Sequence, residues 1–366
     1  MLFSENYNSR CVTKSCQVLN VFLGVFSLRD LTQKICDRLV TDEKVINSVN
    51  EKVAVSSRYR SISFYAKLIF TAFLLFLVYT SLDHQSLFEQ LSELSFLNSA
   101  IIFSLYLLSQ LVSSFKWRIF LSEAGINIPQ RTVTKAFFLG MFINAFGLGT
   151  VGGDMARALS IPCPKGYRSA AIASVLADRI HGLTTLLMIG LFAVLIVQPI
   201  HFPSALFSLL LYVLPVLLVS WLIGPRLLLR ILPEHFPFRI KIQTALAAFP
   251  RSVASLFMAT CISVLFHSIQ IFMACKIFET IRTPISTSLA FTTIPFINAA
   301  SAMPFSINGL GVREVVGIYL LQPAGVLPES SAAFAAVWII TVTLVSGISG
   351  LFVVPSITSK LFSQKG

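Results

Sequence analysis

Three short stretches of this chain combine glycine with charge, and their spacing suggests chemistry. The first is "FGLGTVGGDMAR", residues 146–157, where Gly152 and Gly153 precede Asp154 and Arg157. Residues three apart share a helical face, so Asp154 and Arg157 can form a local ion pair or together present a polar site. An acid near a helix start is stabilising in its own right, which leaves a simple capping role open. A helix beginning after Gly152–Gly153 would aim free N–H groups at an anion. The second stretch is "SVLADRIHGL", residues 174–183, with Asp178, Arg179 and His181. Adjacent helical residues point in different directions, so Asp178 and Arg179 each require a partner from another element. His181 reads as a satisfied polar core residue rather than a proton carrier. The third is "MPFSINGLGVRE", residues 303–314. Pro304 is expected to end one helix, Ser306, Asn308, Gly309 and Gly311 to form the turn, and Arg313 and Glu314 to open the next. Glu314 suits a helix start, whereas Arg313 opposes the dipole there. Arg313 therefore wants an anionic partner, either a protein acid such as Asp178 or a phosphate held by two parallel hydrogen bonds.

The elements that must position these groups are membrane helices. Of 366 residues 55% are hydrophobic and 12% charged, and mean hydropathy is +0.80. A soluble domain carries about 25% charged residues. Continuous apolar runs exclude the alternating pattern of a β-barrel. Full-length runs lie at 63–80, 99–120, 170–198, 204–224, 252–275 and 331–355. Two more, 133–157 and 285–320, are interrupted, and they contain the first and third glycine stretches. The fold class is all-α and polytopic, with six full spans and two broken or re-entrant segments, about eight membrane segments in all. Asp178 and Arg179 lie roughly 13–15 Å along their apolar helix at 1.5 Å per residue. That depth points to function, or to a late-starting helix end from which Arg179 snorkels.

Charge placement sets the topology. Lys44, Lys52, Arg58 and Arg60 precede the first run, Lys116, Arg118, Arg131 and Lys135 follow the second, and Arg157, Lys165 and Arg168 follow the first broken segment. All read as cytoplasmic. Residues 136–150 therefore leave and rejoin one face. Loop 81–98 and the turn 198–204 hold no lysine or arginine and read as external. With Lys360 and Lys365 inside, 285–320 leaves and rejoins the outer face, where Lys276 and Arg282 would be the exceptions. The expected plan is an inverted repeat with halves near 61–200 and 201–360. Substrate sites in such plans form at paired broken helices. Residues 1–60 form a separate cytoplasmic or interfacial extension, in which the apolar run Val18–Leu28 is too short to span. The chain is expected to be multi-pass, with both termini cytoplasmic.

Other function classes find little support. No nucleophile elbow, His-Glu-x-x-His or Walker lysine is present. The six cysteines show no metal-type spacing and read as free thiols. No cofactor or metal is expected, and basic stretches lack the pattern of nucleic-acid binders. The formal charge of +12 reflects topology first and attraction to anionic lipid headgroups second.

The stretches "GGDMAR" at 152–157, "SVLADRIHGL" at 174–183 and "PFSINGLGVRE" at 304–314, in that order, resemble the signatures of the lysylphosphatidylglycerol synthase transmembrane-domain family, the flippase half of the bacterial multiple-peptide-resistance factor. The family usually has a proline just before its first glycine motif, and this chain does not. The resemblance spans roughly 60–360. It implies a bacterial inner-membrane lipid flippase without synthase activity, moving a phospholipid or polyprenyl-linked lipid between leaflets. By that resemblance Gly152, Gly153, Asp154, Arg157, Asp178, Arg179, Ser306, Asn308, Gly309, Gly311, Arg313 and Glu314 form the translocation site. The alternatives are a scaffold or accessory subunit for a lipid-modifying or glycosylating enzyme, and an intramembrane transferase using Asp154 or Asp178 as base. Membrane lipids with anionic headgroups are the expected partners, and a homo-oligomer is left open.

Overall fold

A computed structural model describes residues 69–363, apart from 81, 147–148, 165, 200–201, most of 210–245, 247, 251, 304–305 and 307. The expected N-terminal extension, the start of the first span, part of 204–224, most of loop 225–251 and the helix-ending role of Pro304 lie outside the described residues. The described residues are helical with no strands. Helix α1 is Ile69–Thr80. Then follow α2 (His84–Ser92), α3 (Phe96–Glu123), α4 (Gln130–Phe146), α5 (Gly149–Ser160), α6 (Arg168–Val197), α7 (Val253–Thr280), α8 (Thr287–Ala302), α9 (Val312–Leu321) and α10 (Pro328–Ser363).

Four of these are long and apolar enough to cross a bilayer: α3, α6, α7 and, over Pro328–Leu351, α10. At 1.5 Å per residue α3 is about 42 Å long, beyond the roughly 30 Å hydrocarbon core. Side chains such as Leu108, Phe115, Leu176, Phe192, Phe257, Leu265, Ile340 and Leu344 stay exposed, as lipid-facing residues do. Serine starts three helices: Ser95, Ser252 and Ser286 accept from the N–H of Asn98, Ser255 and Leu289, satisfying a donor that hydrocarbon would leave unpaired.

The order long helix, broken pair, long helix occurs twice, as α3, α4–α5, α6 and as α7, α8–α9, α10. The two sets exchange partners. Helix α3 packs on α7, α6 on α8, and α10 on α4. Aromatic side chains seat these exchanges on glycines. Phe142 of α4 fills the space a Cβ on Gly350 would need, and Phe296 of α8 does the same at Gly190. Gly350 and Gly190 are both the twenty-third residue of their helices.

The ends of the broken pairs lie at opposite ends of the bundle. At one, Glu93 pairs with Arg282 at 2.7 Å, and the Asp83 N–H donates to Glu329 Oε1 at 3.2 Å. Arg282 immediately precedes the loop into α8 and Glu329 lies in the first turn of α10, the helix after α9, so α8 starts and α9 finishes at that end. At the other, Ile126, Val133, Ile161 and Ala171 share one cluster. There Arg168 Nη1 donates to the carbonyls of Leu159 and Ile161, each at 3.0 Å. Segment α4–α5 thus begins and ends at this second end.

Candidate functional site

The first break corrects one expectation. Helix α5 begins at Gly149, so Gly152 and Gly153 lie within it and not ahead of it. The Gly153 N–H is not free for an anion, because it donates to Asn144 Oδ1 at 2.9 Å. Glycine is required at 153 by close helix contact. A Cβ there would lie 2.1 Å from the Gly140 carbonyl oxygen and 2.3 Å from Asn144 Oδ1. This crossing brings Asp154 and Arg157 of α5 against α6.

There they meet Asp178 and Arg179. Arg157 Nη2 donates to Asp178 Oδ2 at 3.2 Å. Arg179 grips Asp154 with two nitrogens, Nη2 to Oδ1 at 2.9 Å and Nε to Oδ2 at 3.0 Å. Arg157 Nε also lies 3.3 Å from Asp154 Oδ1, without hydrogen-bond geometry. The neighbours Asp178 and Arg179 thus turn to different partners, as their adjacency demands.

Sequence reasoning placed a fifth member, Lys116, among cytoplasmic loop charges. It is buried on α3, with Nζ 3.1 Å from Asp178 Oδ1 and donating to the Asp178 carbonyl at 3.2 Å. Its approach depends on Gly182, where a Cβ would stand 2.8 Å from Nζ. A signal for it existed. Ser109, Ser113, Lys116, Trp117 and Phe120 recur at helical spacing and all are buried, so Lys116 belongs to the inward stripe. His181 Nε2 meets Thr260 Oγ1 at 3.2 Å, and His267 Nε2 meets the Gly182 carbonyl at 3.0 Å. Both are core residues beside this network, in keeping with the structural role expected for His181.

The network holds three cations, Lys116, Arg157 and Arg179, against two carboxylates, Asp154 and Asp178, and so carries one net positive charge. Asp178 and Arg157 have side chains only 5% exposed, while Arg179 remains 47% exposed. Arg157 is further held over the rings of Trp117 and Phe137, at 4.9 and 5.3 Å from their centroids. The surplus charge sits inside, where Lys116 and Arg157 share Asp178, while the outer pair Arg179–Asp154 is matched one to one and half-exposed on its arginine side.

The second break is built differently. Asn308, Gly309 and Gly311 all have positive φ, at 53°, 79° and 79°. Gly309 packs against Ser301 and Gly311 against Leu74 of α1, each too closely for a side chain. This turn sets Arg313 at the start of α9. Its guanidinium donates to Asn298 Oδ1 and lies over the Trp338 ring, 4.6 Å from the centroid. Among the described residues no carboxylate comes within ion-pair distance of it, and Asp178 is engaged elsewhere. Asn298 Nδ2 and the Ser306 hydroxyl are buried beside the same turn without partners. Glu314 is buried at 7% exposure.

Trp338 is the eleventh residue of α10, as Asp178 is of α6. In each half an arginine from the broken pair thus meets the same position of the next long helix. One finds a carboxylate and the other an indole face. Tyr106 of α3 is buried and interacts electrostatically with both Arg179 and Arg313. The structure therefore joins Asp154, Arg157, Asp178 and Arg179 in one network, sets Arg313 in a second, and adds Lys116, Asn298, Trp338 and Tyr106.

Comparisons with known proteins identify the family of the chain. The family profile described as "Lysylphosphatidylglycerol synthase TM region" matches residues 64–350, which contain every residue of both clusters. A UPF0104 membrane protein of Pyrococcus horikoshii is 29% identical over 113 residues, covering 30% of this chain. The aligned part spans 33% of that relative's length.

Proposed function

The chain belongs to the lysylphosphatidylglycerol synthase transmembrane-region family, and from that premise we propose that it moves a lipid with an anionic headgroup between membrane leaflets. The carrying observation is a network of three cations and two carboxylates, net positive by one, whose arginine Arg179 is half-exposed. Arg313, with no carboxylate partner among the described residues and two unpaired donors nearby, is the second station. A phosphate carries charge that both stations lack, and arginine's planar fork suits it.

The membrane plan that goes with this function is an inverted repeat of six spans and two re-entrant pairs, with halves near 61–200 and 201–360. The duplicated element order, the exchanged packing of α6 with α8 and α10 with α4, and the opposite ends served by the broken pairs support it. On this reading each broken pair dips from one face, and the headgroup passes between their tips. The protein sits in the inner membrane with both termini cytoplasmic. It performs no covalent chemistry itself, and any lipid-modifying enzyme would be a separate partner.

The test is reconstitution into liposomes containing a fluorescent phosphatidylglycerol, with quencher added outside. Transport predicts quenching beyond the outer-leaflet fraction in the wild type and its loss in Arg179→Gln and Arg313→Ala. Wild-type protein that leaves the inner leaflet protected would refute transport and favour the scaffold. A chemically altered lipid in the same vesicles would favour the transferase.

A further inference from the structure

Glu314 is a buried carboxylate that the two cationic stations leave unused. Its neighbour Arg313 is turned to Asn298 and Trp338. Among the described residues no lysine or arginine nitrogen comes within ion-pair distance of Glu314. The carboxylate folds back toward the N–H groups of Gly311 and of Glu314 itself, a favourable place for an acid in a first turn. That capping role leaves Oε2 unexplained, since it is buried without a hydrogen-bond partner. Such an oxygen is costly in an apolar setting.

Glu314 also forms part of the wall of an open recess of about 450 Å³ between α1, α2, α9 and α10. The rest of the wall is apolar or aromatic, including Phe76, Tyr79, Leu82, Leu87 and Ala332. The charged and titratable surroundings are few. Helix α9 supplies Arg313, and α1 supplies Tyr79, whose ring stacks on His84 at 4.1 Å. Helix α2 supplies Leu87 and α10 supplies Ala332. The acid of α10's first turn, Glu329, faces the Asp83 N–H instead.

The chemistry of this wall selects its ligand. A metal cation of the calcium type asks for about six oxygens. An ammonium group has three donors to satisfy. One carboxyl among apolar side chains offers neither set, but it suits a proton, which needs a single oxygen and removes the buried charge. We infer that Glu314 is a proton-binding site coupled to anion occupancy at Arg313. The inference rests on the anion-binding role of Arg313 given above. While Arg313 has no anion, its positive field favours the ionised carboxylate. An arriving phosphate cancels that field, and Glu314 takes a proton from water in the recess. When the anion leaves, the proton returns to water. Coupling of this kind is reciprocal, so protonating Glu314 strengthens anion binding at Arg313. Proton and headgroup then move together, and a pH difference across the membrane drives lipid movement.

Infrared difference spectroscopy on the detergent-solubilised protein tests the site. A carbonyl band of a protonated carboxylic acid should grow as pH falls in the wild type and be missing from Glu314→Gln, which keeps the capping acceptor and removes the proton site. A band unchanged by Glu314→Gln, or no titrating band, would overturn the proton site. Short-chain phosphatidylglycerol should increase the band at fixed pH. Its affinity, measured by calorimetry, should rise by up to about tenfold for each pH unit lowered, the limit for one linked proton, and be flat with pH in Glu314→Gln. Lipid that binds while the band stays constant would overturn the coupling and leave the anion site standing. Lipid that fails to bind would remove the transport reading and the coupling with it.

Discussion

Arg157 reaches Asp178 at 3.2 Å while Lys116 holds the same carboxylate at 3.1 Å, so one acid is shared by two buried cations. The pairs draw on three helices, α3, α5 and α6, and tie the first broken segment to both long helices beside it. Removing the acid would leave two charges in an apolar interior.

Asp178→Ala should therefore be the most destabilising single change in this network. Breaking a buried pair costs about 3–5 kcal/mol, and two cations are stranded here. Thermal unfolding in detergent should show a large drop in Tm. Lys116→Ala alone should cost less, because Arg157 still holds Asp178. The double variant should recover part of the Asp178→Ala loss. Equal losses for both single variants would contradict the shared-acid arrangement.

Arg179 and Asp154 should separate stability from transport. Their pair is side-chain exposed at 47% and 22%, so it is worth about 0–1 kcal/mol. Arg179→Gln should leave Tm nearly unchanged and abolish lipid movement in the vesicle assay. A protein that loses Tm and keeps transport would assign Arg179 to structure.

The Arg313 site makes a contrast between lysine and alanine. The Asp178 partner considered from sequence is engaged by Lys116 and Arg157, so Arg313→Ala strands no carboxylate there and should fold. Transport should fall at least about tenfold, which corresponds to 1.4 kcal/mol. Arg313→Lys should also impair it, since an ammonium cannot reproduce the planar two-point contact or the same stacking on Trp338. Full activity in the lysine variant would show that charge alone suffices.

Two glycines distinguish clashes that can relax from those that cannot. A Cβ on Gly350 would meet the Phe142 ring at 2.2 Å, whereas a Cβ on Gly153 would meet the Gly140 backbone oxygen at 2.1 Å. Overpacking costs about 1–3 kcal/mol. Gly350→Ala should lose stability and regain part of it with Phe142→Leu. Gly153→Ala should lose at least as much, with no rescue from trimming a side chain. Melting curves for the single and double variants decide this.

How far the sequence carried depended on whether a feature is local. Adjacency on one helix already required Asp178 and Arg179 to seek different partners, and the structure supplies Lys116 with Arg157 for one and Asp154 for the other. The turn at 308–311 was legible because asparagine and glycine accept positive φ. The role of Gly153 was not, since it depends on Gly140 and Asn144 coming close in space. Lys116 was misplaced because counting basic residues by loop ignores which helical stripe a residue occupies. Asn298 and Trp338 gave no sign of binding Arg313, as amides and indoles in apolar helices are common core residues.

The last prediction concerns the two ends of the bundle. Tyr167 packs against Gly125, and Val133, one turn into α4, shares a cluster with Ile161, so the loops flanking α4–α5 lie together. Arg282 pairs with Glu93 at the opposite end. This contact also accounts for Arg282, one of the two basic residues that charge counting left on the external side, because it is paired with an acid of loop 81–98. In a cysteine-free background, single cysteines at Lys135 and Tyr167 should react with an impermeant maleimide only from the cytoplasmic side of oriented vesicles. Cysteines at Glu89 and Arg282 should react only from the external side. Opposite labelling of Lys135 and Tyr167 would mean that α4–α5 crosses the membrane once, which would break the pairing of α4–α5 with α8–α9. Matched labelling within each pair but on reversed sides would keep the two-ended architecture and invert the orientation, moving Lys116 and the Asp178 network toward the external leaflet.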